Sequence, residues 1–298
     1  MLSINWQRKV FLVSAVIFLL VSLFTPRLES KTEIIITGAL ILFIGVPHGA
    51  LDLLYLRKVL GVHRPVNIAI SILAYLAISA LIVGLWLWSP LLFLVGFLLA
   101  SGLHFSGDPD NGVSPLTRVT VGTGVIVLPS LFHSKELEHL YSLLTNQAVA
   151  EKVVSLSFPL ACAVIGIGTI SLGIEVVTRN FKAATELLIV GMLSTIAPPL
   201  LAFTIYFCLM HSARHIVRTS ELILVPKRAF VLECVLPMVG VFISGAIAWN
   251  FKNSLSIDAK VIQILFVLLA ALTAPHMVIV EPIRFRGWVN PLSTKNIG

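Results

Sequence analysis

Five of the eight histidines in this sequence lie inside or at the end of long apolar runs, where an ionisable side chain is costly and therefore a candidate for function. These five are His48, His104, His211, His215 and His276. Neutral imidazole suits zinc, copper, iron and nickel, so several histidines brought to one place would form a transition-metal site. The other three lie in or beside loops, where we expect solvated or headgroup-level side chains: His63, His133 and His139.

The closest histidines along the chain are His211 and His215, which are four residues apart. On a helix this separation places both rings on one face, about 6 Å apart and within reach of one ion. The pair is weak evidence by itself, and the metal interpretation rests on the whole set. Isolated cysteines within the apolar runs are expected to be buried packing residues: Cys162, Cys208 and Cys234.

Acidic residues follow two of the histidines at the same spacing, since Asp52 comes four residues after His48 and Asp108 four after His104. Metal-bound histidines commonly donate their second N–H to a carboxylate, so we expect these pairs to form. The alternatives are a proton relay, a packed hydrogen-bonded pair or, for Asp108, the start of the turn at Pro109.

Other charged residues in the apolar runs receive simpler interpretations. Arg214 is expected to extend toward lipid phosphate, with neutralisation of Asp52 or Asp108 as the alternative. Glu233 and Glu281 lie near the ends of runs, and we assign them no function.

The composition predicts that helices spanning a membrane position these residues. Hydrophobic residues make up 57% of the 298, charged residues 12%, and the mean hydropathy is +0.99. Soluble domains carry about 25% charged residues, so the sequence predicts an all-α, polytopic membrane bundle, residues 1–298, without a soluble domain. The Lys and Arg residues fall in short clusters between apolar runs, which excludes a nucleic-acid-binding stripe.

Apolar runs long enough to cross a bilayer occur at 10–24, 33–56, 66–88, 90–107, 116–133, 155–177, 183–217, 229–250 and 260–281. The loop 134–154 is predicted to contain an interfacial helix. The run 183–217 has Pro198-Pro199 at its middle and can cross once or twice, giving nine or ten crossings.

Charge counting favours ten crossings with both termini in the cytoplasm. With two crossings in 183–217, 15 of the 21 Lys and Arg residues lie inside, as the positive-inside rule requires. A single crossing would divide them almost equally. In the ten-crossing topology all five histidines fall in the cytoplasmic leaflet, so the sequence predicts one metal site there. Neither an HExxH motif nor HxxHH clusters are present, which leaves a mononuclear site of about four imidazoles.

Four short motifs resemble those of the Brp/Blh family of membrane-bound β-carotene 15,15′-dioxygenases. They are Pro47-His48-Gly49-Ala50-x-Asp52, His104-Phe105-x-Gly107, His211-Ser212-x-Arg214-His215 and Pro275-His276. The resemblance covers about residues 33–281; Ser106 departs from the usual motif, and the first apolar run lies outside it. It implies a bacterial or archaeal inner-membrane enzyme that uses iron(II) and O2 to cleave the central double bond of β-carotene into two retinal molecules.

By this resemblance His48, His104, His211 and His215 would be the iron ligands, with Asp52 and Asp108 behind them and His276 an additional ligand or part of the site wall. An apolar polyene would enter laterally from the lipid bilayer and lie tilted or nearly in the membrane plane. Whether a retinal-binding rhodopsin accepts the product stays open. The alternative function is a proton- or metal-coupled transporter that uses the intramembrane His and Asp residues.

Overall fold

The computed structural model describes residues 3–25, 29–223, 227–251 and 254–289, and these residues form helices joined by short connections, without strands. The α-helices are α1 Ile4–Phe24, α2 Ser30–Leu40, α3 Asp52–Lys58, α4 Pro65–Trp88, α5 Pro90–Phe105, α6 Pro115–Val127, α7 Ser134–Leu144, α8 Gln147–Val177, α9 Phe181–Ile196, α10 Pro199–Ile205, α11 Ala213–Leu222, α12 Lys227–Phe251 and α13 Ile257–Val289. Several begin at proline, whose missing N–H is harmless in the first turn.

Within the described residues, seven helices are long and apolar enough to cross a membrane, or eight if the bent pair α6–α7 is one span. The seven are Ile4–Phe24, Lys31–Lys58, Pro65–Trp88, Gln147–Val177, Pro199–Leu222, Phe230–Phe251 and Ile257–Pro282. The protein is therefore a helical integral membrane bundle. The predicted count of ten is not confirmed, because α5 and α9 have only 16 residues each and α6 has 13. Both chain termini lie outside the described residues.

The ambiguous run 183–217 forms a hairpin of α9 and the α10–α11 stretch. The chain leaves helical geometry at Ala197 and Pro198, and α10 begins at Pro199. As a result Glu186, near the start of α9, contacts Arg214, near the end of the run. The two halves therefore run in opposite directions, as the two-crossing prediction requires.

Two of the spans contain irregular helical turns at the level of the histidines. In the second span, a π-helical turn at Ile41–Gly45 is followed by a 3-10 segment at Val46–Leu51. The segment Tyr206–Ser212 between α10 and α11 is also π-helical. π-Helical turns are rare and occur frequently at functional sites, because they change the direction in which side chains project.

The predicted interfacial segment 134–154 is divided between two helices. α7 is bent by 107° relative to the α6 stretch, and it ends at Leu144. α8 begins at Gln147, with the Asn146 side chain accepting a hydrogen bond from the Val149 N–H at 3.0 Å. Residues 147–154 of the predicted loop therefore form the first turns of a long helix.

Candidate functional site

The five histidines of the apolar runs meet in one cluster. The His48 ring lies 4.8 Å from the His211 ring, 5.2 Å from that of His276 and 5.6 Å from that of His215, between centroids. The His104 ring lies 4.6 Å from His211 and 5.1 Å from His276, and His215 lies 5.1 Å from His276. Four of the rings are buried and His215 is half-buried. Segments far apart in sequence thus bring their imidazoles to one point.

Three of these histidines converge most closely. His48, His104 and His276 each offer a ring nitrogen, and these nitrogens lie within 4.8 Å of one another. Three nitrogens bound tetrahedrally to one ion at about 2.1 Å lie about 3.4 Å apart. The trio would therefore need to close by about 1.4 Å at most around a metal. The donor set therefore fits a first-row transition metal.

Three of the imidazoles are oriented by carboxylates. Nδ1 of His276 lies 2.5 Å from Asp52 Oδ1. Nδ1 of His211 lies 2.9 Å from Asp108 Oδ1, and Nδ1 of His104 lies 2.6 Å from Glu281 Oε1. His48 is held by a backbone group instead, because its Nδ1 is 2.6 Å from the carbonyl oxygen of Gly45. With Nδ1 engaged, Nε2 is the nitrogen that can bind a metal, which is the usual arrangement around metal-bound histidine.

The predicted carboxylate pairs were wrong in their partners, although Asp52 and Asp108 do contact histidines. Asp52 does not share a face with His48, because residues 46–51 form a 3-10 helix with about three residues per turn. Asp108 does not lie on the same helix as His104, because α5 ends at Phe105 and the chain turns there. The carboxylates therefore bind histidines of other segments.

Glu281 is a site residue that our sequence interpretation missed. It lies in α13 and is buried, with 6% of its surface exposed. The signal was present, because a glutamate in the last apolar run has the same cost of burial that singled out the histidines. Its position near the end of the run makes it resemble an ordinary charge at a helix boundary.

The π-helical segments hold the cluster by packing closely against each other. The Ser212 hydroxyl donates to the carbonyl of Gly45 at 2.7 Å and lies 3.1 Å from that of Ile44, which satisfies carbonyl groups that regular helical bonding leaves free. Gly45 has no side chain, and a Cβ atom at this position would overlap the Phe207 ring. Phe207 in turn stacks on His211, with 5.5 Å between centroids. The irregular turns thus place His48 and His211 side by side.

A buried ion network lies behind His211. Arg214 is fully buried and bonds both carboxylate oxygens of Glu186, and its Nε donates to Gln7 Oε1 at 3.0 Å. Its Nη1 also donates to the backbone carbonyl of Asp108 at 3.0 Å. The prediction that Arg214 reaches lipid phosphate is therefore wrong, because Glu186 binds it inside the protein.

The first helix completes this network, since Arg8 donates to Glu186 Oε1 at 2.7 Å and also pairs with Asp110. Asp110 lies in the connection between α5 and α6, outside the spanning helices, and accepts from Arg218 at 3.0 Å. Partial burial acts to raise the pKa of Asp110, but the guanidinium groups of Arg214, Arg218 and Arg8 hold this pKa below its usual value. The network therefore ties α1 to the site.

Two of the histidines and cysteines to which the sequence assigned no function, His133 and Cys162, lie in environments opposite to those predicted. His63 and His139 are exposed, as predicted. His133 is buried instead, with Nε2 3.2 Å from the carbonyl oxygen of Ile196. Cys208 is buried as expected and Cys234 is half-buried, whereas Cys162 is exposed on α8. In both exceptions the position along the chain was a poor guide to which helix face meets the bundle.

Comparisons with known proteins bear on the family to which the chain belongs. Residues 39–283 match the family model described as "Beta-carotene 15,15'-dioxygenase". A protein of the same name from uncultured marine bacterium 66A03 is 30% identical over 271 residues, covering 87% of this chain and 96% of that protein. The "Probable beta-carotene 15,15'-dioxygenase Blh" of Halobacterium salinarum is 25% identical over 280 residues, covering 79% of this chain and 80% of that protein. No solved structure matches this chain. The protein belongs to the β-carotene 15,15′-dioxygenase family.

Proposed function

We propose that this protein cleaves the central 15,15′ double bond of β-carotene with O2 and releases two molecules of retinal. One polyene and one O2 give two aldehydes, so the atoms balance without another reactant. The observation that carries the proposal is the buried cluster of five histidines in a chain of this family. A hydrolase would need a general base beside the metal, whereas the carboxylates that contact the cluster are engaged by histidine Nδ1 atoms.

We propose iron(II) as the metal. When bound, iron(II) would supply the redox chemistry with O2 that a dioxygenase needs. His48, His104 and His276 form the core of the proposed ligand set, and His211 and His215 are the remaining candidates. Neutral imidazoles leave the charge of the ion undiminished, and Asp52, Asp108 and Glu281 lie behind them as compensating carboxylates.

The residues of the chain have separate tasks in this proposal. The carboxylates hold the Nδ1 protons and fix the ring orientations, so that Nε2 faces the centre of the cluster. The aromatic rings of Phe105 and Phe207, which lie 4.9 and 5.5 Å from His211, exclude water on one side. On the other side, an apolar cavity of about 340 Å³ reaches His48 and His276. A polyene held there reacts away from bulk water, which protects reactive species from side reactions.

We further propose that the chain lies in the cytoplasmic membrane with both termini inside. Support comes from the position of four charged residues: Arg8 of α1, Asp110 after α5, Glu186 of α9 and Arg218 of α11 belong to one network. These ends must lie on one side of the membrane, which is the side that charge counting assigns to the cytoplasm. A fusion of a reporter enzyme to the N-terminus and to the 197–198 turn tests this orientation.

The direct test of the activity is expression in a β-carotene-producing bacterium, followed by chromatography of the pigments. We expect β-carotene to decrease and retinal to appear, and the His48→Ala variant to abolish both changes. Longer apocarotenals would show cleavage at another bond. Unchanged pigments, in cells that contain the folded protein and sufficient iron, would overturn the proposed function. Metal analysis of the purified protein, with removal by a chelator and restoration by iron(II) or zinc, tests the identity of the metal.

A further inference from the structure

The cavity at the histidine cluster has a second apolar cavity beside it. The first cavity lies between α4 and α12, with α13 and the 46–53 segment as its floor, and the side chains of His48 and His276 line it. The second cavity, of about 360 Å³, adjoins it between α12, α13 and α2. The two cavities share Val46, Val241, Leu268, Leu269 and Leu272. We call the two together the lateral cleft.

The lateral cleft is open toward the lipid-facing surface beside the histidines. Its walls there include Leu76 of α4 and Leu236 of α12, which are 58% and 74% exposed. In a membrane these side chains face acyl chains, so an apolar molecule can reach the cluster without crossing water. The hydroxyl groups that line the cleft are already hydrogen-bonded. Those of Ser71, Ser244 and Thr273 donate to carbonyl groups of their own helices, and that of Tyr75 donates to the carbonyl oxygen of Leu272 at 3.2 Å. The cleft therefore suits a ligand without hydrogen-bonding groups.

The length of the cleft fits half of a carotenoid. Along α13, its lining extends from Val261 to Ile279, and His276 is near the second end. The distance from His276 to Val261 is 15 residues of helix, or about 22 Å. A carotenoid is about as long as the bilayer core is thick, about 30 Å, so one half needs about 15 Å. One half fits between the histidines and the far end, where Trp249 lies against the ammonium group of Lys260 at 4.7 Å.

We propose that the lateral cleft binds one half of the polyene along α12 and α13, with its central double bond at His48 and His276 and the other half directed toward lipid between α4 and α12. This proposal rests on the proposed function and names the substrate site for it. The substrate then lies along the spanning helices in this part of the protein, rather than nearly in the membrane plane as the sequence suggested. The depth of the cleft, measured from His276, selects the bond that is presented to the cluster.

Two exposed glycines allow the cleft to be blocked in one variant and left open in a matched control. A Cβ atom at Gly240, which lines the cleft on α12, meets nothing within 4 Å, and the same is true of Gly166 on α8, which does not line it. Both are exposed positions inside long apolar helices. Gly240→Phe therefore fills the cleft, and Gly166→Phe adds the same side chain elsewhere. Val241→Phe, at the junction of the two cavities, is a second blocking variant.

The experiment measures β-carotene bound by each iron-loaded protein without oxygen, retinal formation after oxygen is added, and iron content. We expect Gly240→Phe and Val241→Phe to lower both binding and retinal formation by about tenfold or more, with iron unchanged, because the occupied volume excludes the polyene. We expect Gly166→Phe to stay within about twofold of the parent protein, since a surface change away from the site has little effect. Val241→Phe should favour shorter apocarotenoids, which need less of the cleft.

Normal binding and cleavage by both blocking variants would overturn the cleft as the substrate site, and so would an equal loss in Gly166→Phe. The proposed function fails separately. If the parent protein binds β-carotene and the blocking variants do not, but no retinal forms, the cleft is supported as a carotenoid site and the dioxygenase activity is rejected.

Discussion

The two sides of the histidine cluster are built in opposite ways. Behind His211 the protein is dense and polar, with Arg214 fully buried between Glu186, Gln7 and the backbone of Asp108. Beside His48 and His276 it is apolar and open, with a cavity of about 340 Å³. The first, which we call the closed side, fixes ring positions through many directional bonds, and the second, the open side, leaves space. This difference indicates that holding a metal and admitting an apolar substrate are assigned to different helices.

Removal of a metal ligand should change metal binding more than any other substitution. We expect His48→Ala, at a histidine that lines the cavity, and His104→Ala, at one that does not, each to lower metal affinity by more than about 100-fold. Loss of a ligand should exceed the 10–100-fold effect of losing its hydrogen-bond partner. Metal per protein, measured by mass spectrometry after dialysis, gives the result. His139→Ala is the control because His139 is exposed. Full metal content in either cluster variant would remove that histidine from the ligand set.

The closed side is expected to dominate stability. Glu186 accepts from Arg8 and Arg214, and replacing it by leucine leaves both guanidinium groups without their shared buried carboxylate. Breaking a buried ion pair from one side typically costs about 3–5 kcal/mol. We therefore expect Glu186→Leu to lower the free energy of unfolding by about 3 kcal/mol, measured by denaturation in detergent. The control is Glu151→Leu at an exposed position of α8. An equal effect of both changes would show that the network does not stabilise the fold.

The carboxylates that orient the rings allow the two sides to be compared directly. Glu281→Gln acts on His104 and Asp52→Asn on His276, and each should weaken metal binding by about 10–100-fold. We expect the decrease to be visible in metal titrations while helical content, measured by circular dichroism, stays unchanged. If only one variant weakens binding, the histidine that its carboxylate contacts is a ligand and the other is part of the wall.

The sequence predicted the histidines, but it did not predict how their partners are arranged. Burial cost pointed to the five histidines because each is an ionisable residue in an apolar run, and this property needs no tertiary information. The pairs of Asp52 and Asp108 depend on which segments cross, and the spacing argument assumed regular α-helix. The 3-10 segment at 46–51 and the π-helical turn at 206–212 depart from that geometry, and tertiary packing stabilises both.

The outline of the bundle was also predictable, because hydropathy needs no tertiary information. Hydropathy gives apolar runs, and most of them are spanning helices in the structure. The count could not be fixed, because short helices such as α5 and α9 are stabilised by neighbours rather than by their own length. The charge network was missed because Arg8 and Glu186 are 178 residues apart, and a buried ion pair leaves no local pattern.

The smallest effect is expected at the outer edge of the closed side, at Asp110. Its folded-state pKa lies below the ordinary value of about 4, because of the neighbouring guanidinium groups. Its ionised form therefore adds stability that is fully present above about pH 4 and is lost as the pH falls through the lowered pKa. We expect Asp110→Asn to lower the free energy of unfolding by about 1 kcal/mol or less at pH 7, since the carboxylate is partly exposed. The difference from the parent protein should shrink as the pH is lowered through the lowered pKa. If the difference were constant between pH 7 and pH 3, the loss would come from packing, and the charge of Asp110 would add nothing to the hold on Arg8 and Arg218.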